Sequence, residues 1–564
     1  MSERDRVTLR VVGMTCEGCG RHVTEALKAI PGVEQAQVES WRSGQATVVS
    51  QAELTDGALI AAMQKSGYHA SIIERRRVEP VRTGPSARRR DYDLITIGGG
   101  SAAFAAAIKA AELGARVAIV EKGTIGGTCV NIGCVPSKTL IKAAELCYHA
   151  AYPQFEGLTA CPPPSDWRRV VHQKDELVAA LRQGKYVDVA AVYPNITILK
   201  GEARLLGGRR VRVNGTGDPL HGPVQRVTEP EKILVATGSS PWAPPIPGLQ
   251  EAGFLDSEQA LSLEALPTSM IIIGGGSIGL EFAQLFTRFG VQVMVLESGP
   301  YVAMAEEPEM GEALVRYLES EKVRICTNTR ILKVARMGRN YRVYAEINGA
   351  SEVCSAEQLL VATGRRPNTA GFGLEEAGVT LGGRGEIVVN QHLQTSNADI
   401  YAAGDCIGDP MFVYVAAYAG GLAAENALTG VGKVYDLTAL PHVTFTDPQM
   451  ASVGLTEQQA KAKGLQVQTA VLPLQNVPRA LAARNTKGLI KLVAEEDTGR
   501  LVGAHVLAAE AGEVIQEATL AIRFGLTVQD LADTFHPYLT MVEGLKLAAL
   551  TFKKDVSKLS CCAA

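Results

Sequence analysis

Aromatic side chains are scarce in this sequence of 564 residues, at 5%. Long apolar runs are missing, and the charges nearly cancel. A formal net charge of −3 leaves no whole-molecule basic field to attract nucleic acid or anionic lipid. The apolar stretches at 270–273 and 416–424 are short or broken by glycine. Both fall short of the roughly 18–20 residues that a membrane span needs. The first ten residues are charged and lead straight into a strand-like pattern, which argues against a secretory leader. These absences predict a soluble cytoplasmic protein with no nucleic-acid partner and no membrane insertion. An odd number of cysteines, eleven, also argues against a structural disulfide framework. What remains is ordinary globular composition, 46% hydrophobic and 20% charged. At this length about three or four domains are expected.

Hydrophobic periodicity divides the chain. Residues 1–74 alternate as strand, helix, strand, strand, helix, strand, which predicts a small ferredoxin-like sandwich. Residues 75–90, rich in Arg, Pro, Gly and Ser, read as a flexible linker. From residue 91 the pattern becomes α/β. A strand at 94–97 enters Gly98-Gly99-Gly100, then come an Ala-rich helix and a second strand; the same order returns at 270–296. Two nested Rossmann-like units are expected, at 91–240 and 241–370, with 371–440 returning to the first. An α+β domain at 441–564 follows.

Each glycine turn sits where a dinucleotide needs it. Gly98-x-Gly100-x-x-Ala103 and Gly274-x-Gly276-x-x-Gly279 both follow a strand and open a helix. Glycine lets the backbone approach a pyrophosphate, whose charge rests on the helix N-terminus. Glu121 and Glu297 end the second strands, where a carboxylate can hold a ribose 2′-hydroxyl. Six cysteines fall into close pairs: Cys16/Cys19, Cys129/Cys134 and Cys561/Cys562. Cys147, Cys161, Cys326, Cys354 and Cys406 are scattered and read as small buried hydrophobes. A helix opening near Pro136 would put Cys134 at its positive end, where a thiolate is stabilised. Adjacent cysteines such as Cys561-Cys562 make a poor disulfide but a good pair of soft-metal ligands.

The segment Gly126-Gly127-Thr128-Cys129-Val130-Asn131-Ile132-Gly133-Cys134-Val135-Pro136-Ser137-Lys138 resembles the redox-active disulfide motif of the flavoprotein disulfide reductases. Ala236-Thr237-Gly238, Ala362-Thr363-Gly364-Arg365-Arg366-Pro367-Asn368 and Tyr401-Ala402-Ala403-Gly404-Asp405 match in the same order, so the likeness covers residues 91–564. The resemblance implies FAD on the first unit and NADPH or NADH on the second, with 441–564 as a homodimer interface. It implies Asp405 on the ribityl–phosphate region, Lys138 near the reactive ring edge and Glu281 paired with that lysine. By the same analogy Cys134 is the thiolate beside the flavin, and Cys129 is the exchange thiol. Three further features are similar to the mercuric reductase branch. These are Tyr538-Leu539-Thr540-Met541-Val542-Glu543-Gly544 with the terminal Cys561-Cys562, the pair of segments 411–417 and 476–480, and Gly13-Met14-Thr15-Cys16-Glu17-Gly18-Cys19, which resembles a heavy-metal-associated domain.

That branch implies reduction of Hg(II), with thiol-bound mercury as substrate and a relay from Cys16/Cys19 through Cys561/Cys562 to Cys129/Cys134. Tyr538 would stand beside the metal. A linker of this length spans about 20–25 Å, enough for a local concentration on the order of millimolar between cysteine pairs. Some residues point elsewhere. Glu297, with no arginine in 298–305, favours NADH over NADPH or use of both. Ser277 stands where a tyrosine often closes the nicotinamide pocket. His536 occupies a general-base position, but its usual glutamate is Met541, so a packed histidine is expected. A dihydrolipoamide- or glutathione-type disulfide reductase and a redox-gated copper chaperone stand as alternatives.

Overall fold

The computed structural model describes residues 4–14, 17–40, 44–50, 54–78, 90–161, 166–215 and 225–555. Cys16, Cys561 and Cys562 lie outside the described residues. The chain forms two compact units, residues 1–89 and 90–564.

The first unit is the expected βαββαβ sandwich. Its elements are β1 (Arg4–Val12), α1 (Glu17–Lys28), β2 (Val33–Ser40), β3 (Gln45–Ser50), α2 (Asp56–Lys65) and β4 (His69–Val78). They form one antiparallel sheet in the order β2-β3-β1-β4. Alternate residues of central β1, Val7, Leu9 and Val11, point inward against Val23 and Leu27 of α1 and Leu59 and Met63 of α2. Thr55 caps α2 by accepting from the Ala58 amide at 3.2 Å. β4 runs to Val78, past residue 75 where the linker was expected to begin. β1 starts at Arg4 and so supplies pairing partners as far as Arg4↔Val78. The Arg75 guanidinium also anchors the strand, donating to the Leu54 carbonyl at 2.7 Å.

In the second unit β5 (Leu94–Ile97), α3 (Ser101–Glu112) and β6 (Val117–Glu121) form the first dinucleotide turn. β5 and β6 lie in a seven-stranded sheet. Its parallel part runs Ile400–Ala402, Lys232–Val235, β5, β6, Ile196–Leu205. The strand Ile400–Ala402 returns after the whole second turn has been made, so the second dinucleotide unit is inserted into the first. That second unit has four parallel strands in the order Arg324–Cys326, Gln292–Leu296, Ser269–Ile273, Gln358–Val361. Strands buried on both faces read as continuous apolar runs, as residues 270–273 do.

Small residues set one interface that fixes the site. α3 buries Ala102, Ala103, Ala106, Ala107, Ala110 and Ala111, and the helix Val413–Thr429 packs against it. A Cβ at Gly420 would stand 2.0 Å from the Ala102 carbonyl oxygen, so only glycine permits this approach. The C-terminal part is a five-stranded antiparallel sheet, Pro441–Thr444, Gln449–Gly454, Leu501–Ala508, Leu489–Glu495 and Val467–Pro473. The helix Ala511–Arg523 packs on it. None of the helices among the described residues is long and apolar enough to cross a membrane. Cys326, Cys354 and Cys406 are buried as expected. Cys147 is half-buried and Cys161 exposed, contrary to expectation; Cys161 lies on an irregular exposed segment just before Pro162-Pro163-Pro164, outside any element that could enclose it.

Candidate active site

The two glycine turns share one construction. Gly98 has φ +114° and Gly274 φ +109°. A Cβ at either would stand 2.2 Å from the Ala236 carbonyl oxygen or 2.5 Å from that of Ala362. Glu121 accepts from the Gly99 amide at 2.6 Å with one oxygen and from Gly123 at 2.6 Å with the other. Glu297 repeats this with Gly275 and Gly299, both at 2.6 Å. The carboxylates therefore lie at the mouths of the turns, with lone pairs left for a ribose hydroxyl.

Both turns open into one cavity of about 1210 Å³. That exceeds the roughly 300–1,000 Å³ of ordinary ligand pockets. Its walls hold Gly98, Gly100, Glu121, Thr128, Cys129, Cys134, Lys138, Gly238, Gly274, Gly276, Glu281, Glu297, Gly364 and Asp405. Ala103 and Gly279 do not line it. They sit inside their helices, where a Cβ at Gly279 would meet the Gly274 carbonyl oxygen at 2.0 Å, so these are packing positions. Tyr538 does not line it either and is 50% exposed on the C-terminal domain. Cys19 is half-exposed in the first turn of α1.

The cavity fits two dinucleotides from its own residues. Glycine removes every Cβ that would fill the turns, and Gly127 approaches Gly100 so closely that a Cβ there would lie 2.6 Å from the Gly100 Cα. Asp405 opens a helical turn behind the first unit and accepts from the Ser239 hydroxyl at 2.6 Å. Arg365 steadies that serine, donating to its hydroxyl and its carbonyl, each at 2.7 Å.

The cysteine pair sits at a corner between α4 (Gly127–Ile132) and α5 (Cys134–Ala151). Gly133 makes the corner; a Cβ there would stand 3.0 Å from the Thr128 carbonyl oxygen. Cys134 begins α5, so its sulfur lies at the positive end of that helix. The Cys129 thiol donates to it. That hydrogen bond, helped by the Lys138 charge and opposed by burial and Glu281, lowers the Cys134 thiol to about 7. The same hydrogen bond, with burial, pushes the Cys129 thiol far up.

Lys138, one helical turn beyond Cys134, donates to Glu281 at 2.6 Å. Its ammonium also lies 4.8 Å from the centre of the Phe445 ring. Glu281 spends its other oxygen on the Phe445 amide at 2.8 Å. One face of the helix Ser277–Arg288 is stitched in this way to the Thr444–Asp447 segment. Ser277 bonds Thr444 at 2.7 Å, Gln284 bonds the Asp447 backbone at 2.7 and 2.8 Å, and Arg288 pairs with Asp447 at 2.9 Å. Positions 277, 281, 284 and 288 recur at the helical repeat, which is why one segment can meet all four.

Two histidines bear on the site, and His536 is packed as expected. His536 does have a carboxylate partner: Glu517, from the helix Ala511–Arg523, lies 2.7 Å from its Nε2. The Thr534 carbonyl occupies Nδ1 at 3.0 Å, and the side chain is 2% exposed. Both ring nitrogens face acceptors, so His536 is a packed histidine. His442, which sequence reading passed over, lines the cavity. Arg330 was missed as well. It lies beyond the 298–305 segment, yet the Thr329 amide bonds the Glu297 carbonyl at 2.9 Å and brings Arg330 onto the same wall.

Three family models match the chain. The pyridine nucleotide-disulphide oxidoreductase model matches residues 92–420. The dimerisation domain of the same family matches 440–549, and the heavy-metal-associated domain matches 8–69. The chain belongs to the pyridine nucleotide-disulphide oxidoreductase family. Its relatives include mercuric reductases, one from Staphylococcus aureus at 46% identity over 98% of each chain. Another, from Shigella flexneri, is 43% identical over 99% of this chain and all of that one. Among solved structures, the HOCl-induced flavoprotein disulfide reductase RclA from Escherichia coli is similar, with TM-score 0.72 and 30% identity over 82% of this chain and all of that one.

Proposed function

We propose that this chain reduces Hg(II) to volatile Hg(0), taking electrons from NADH or NADPH through FAD to the Cys129/Cys134 pair. The observation that carries this is the placing of that pair on the wall of one cavity entered by both dinucleotide turns. The heavy-metal-associated match at 8–69 supports mercury over a disulfide substrate. Reduced nicotinamide as the electron source supports a reaction in the cytoplasm.

FAD, when bound, supplies the two-electron step between nicotinamide and sulfur. The protein's part is to hold and orient. Gly98 and Gly100 receive one pyrophosphate, Gly274 and Gly276 the other, and Glu121 and Glu297 take the ribose hydroxyls. Asp405 orients the ribityl–phosphate region. Lys138, fixed by Glu281, holds positive charge beside Cys134, which favours the thiolate form of that sulfur. Cys129 exchanges with incoming thiol-bound mercury. The N-terminal unit collects the ion on Cys16 and Cys19. In a homodimer Cys561 and Cys562 of one subunit serve the cavity of the other, with Tyr538 near the entering metal. Phe535, 98% exposed, and Tyr538 lie on the domain matched as the dimerisation domain, which supports this arrangement.

Adding Hg(II) and reduced nicotinamide to the purified holoenzyme should release volatile mercury, read by atomic absorption of the vapour. Oxidation of nicotinamide by lipoamide or glutathione disulfide without any mercury vapour would overturn the reading.

A further inference from the structure

We propose that Glu306 and Glu307 are positioning residues for nicotinamide: anchored in the C-terminal sheet, they hold the second glycine turn in its binding shape. The inference rests on the reading of Gly274 and Gly276 as the nicotinamide cradle. It extends that reading to two side chains that do not line the cavity.

The turn leans on an irregular segment, residues 297–307, between the strand Gln292–Leu296 and the helix Pro308–Ser320. The Ala303 amide donates to the Gly275 carbonyl at 2.9 Å, and a Cβ at Gly275 would stand 3.1 Å from Val302 Cγ1. Val302 and Ala303 are buried, and Ala303 has φ +52°. A side chain in that left-handed region persists only where its surroundings impose it. The Glu306 amide closes the turn on the Ala303 carbonyl at 2.8 Å. Whatever fixes Glu306 therefore fixes the segment that supports Gly275.

The C-terminal sheet supplies the fixing. His442, Ser452, His505 and Lys491 stand directly opposite one another in the register of four neighbouring strands. Cross-strand neighbours share a face, so the four form one polar row. The same face carries Met450 and Leu507, which pack into the core of the second dinucleotide unit. The two glutamates meet this row. Glu306 lies 2.6 Å from His442 Nε2 and accepts from the Ser452 hydroxyl at 2.7 Å. Glu307 accepts from the Lys491 ammonium at 2.9 Å and from the Glu457 amide at 2.6 Å. His505 stands between them, 4.0 Å from Glu306 and 3.8 Å from Glu307. Both glutamates, His505 and Lys491 are buried. Apolar contact alone would join the two domains; directional bonds to buried carboxylates hold the segment in one place.

The test compares full-length flavin-bound wild type with Glu306→Gln and Ser452→Ala. Stopped-flow reduction of the flavin by NADH and by NADPH gives the nicotinamide Kd and the limiting rate with no mercury present. Glu306→Gln should raise the Kd about tenfold, a fraction of what losing one member of a buried charge pair costs. The limiting rate and the flavin content should stay as in wild type. Ser452→Ala removes one hydrogen bond and no charge, so it answers the question even where Glu306→Gln fails to fold; its Kd should rise about threefold. Amide hydrogen exchange, read without nicotinamide, should quicken across residues 299–311 in both variants. Adding Ala303→Gly to Glu306→Gln should recover part of the affinity, because glycine takes φ +52° without strain. A lowered Tm with Kd and exchange as in wild type would make the cluster a domain fastening only and overturn the proposal. An unchanged Kd in Gly274→Ala would instead overturn the reading beneath it, that this turn binds nicotinamide.

Discussion

The two dinucleotide turns are locally almost the same object. Each has a glycine near φ +110°, a carboxylate bound to two backbone amides at 2.6 Å, and a helix opening behind them. Their surroundings diverge. The first turn is closed over by Gly127, Asp405 and the cysteine-bearing corner, parts drawn from residues 127 to 405 of the chain. The second is flanked by the Thr329–Arg330 strand and stitched to the C-terminal sheet through Ser277, Glu281, Gln284 and Arg288. A short motif thus identifies a phosphate cradle, and distant residues decide which nucleotide it serves.

Substituting the first glycine of each turn separates the two most sharply. Gly98→Ala adds a Cβ 2.2 Å from the Ala236 carbonyl in a backbone conformation costing about 1–3 kcal/mol for a side chain. The β5–Lys232–Val235 contact must open, so the variant should purify without flavin absorbance and with a lower Tm. Gly274→Ala meets the same strain, with its clash at 2.5 Å. It should keep its flavin and instead raise the KM for nicotinamide at least about tenfold. Equal loss of flavin in both variants would break the comparison. A smaller effect is expected at the carboxylates. Glu121→Ala leaves the Gly99 and Gly123 amides without their acceptor, at about 1–3 kcal/mol for each such group that stays dry. Flavin affinity, read by fluorescence on dilution, should weaken, whereas Glu297→Ala should weaken only nicotinamide binding.

What the sequence disclosed follows the same division. The strand–turn–helix order, the cysteine corner and the Lys138–Glu281 pair were legible because each lies in a local pattern or a family motif. His442–Glu306, 136 residues apart, and His536–Glu517 were not, since neither pair leaves any mark on neighbouring positions. Met541 was read as a missing partner for His536, while the carboxylate came from another helix. The end of β4 was hidden for a similar reason. An arginine-rich stretch has no apolar alternation, and only its partner β1 makes it a strand. The exposure of Cys161 reflects its place on an irregular segment, which residue type alone does not encode.

Arg330 turns the comparison into a question of charge. Glu297 alone would repel a 2′-phosphate and favour NADH. Arg330 shares its wall, but it is 77% exposed and pairs with Glu346 at 3.4 Å. An exposed arginine in such a setting is worth up to about 1 kcal/mol, a factor of about five in binding. Wild type should therefore accept both cofactors, with kcat/KM values within about one order of magnitude. Arg330→Ala should lower kcat/KM for NADPH two- to fivefold and leave the NADH value in place. Arg330 lies on the wall of the second turn, so flavin content should not change. Should NADPH be preferred a hundredfold in wild type and remain so in Arg330→Ala, neither Glu297 nor Arg330 would be the residue that reads the 2′ position.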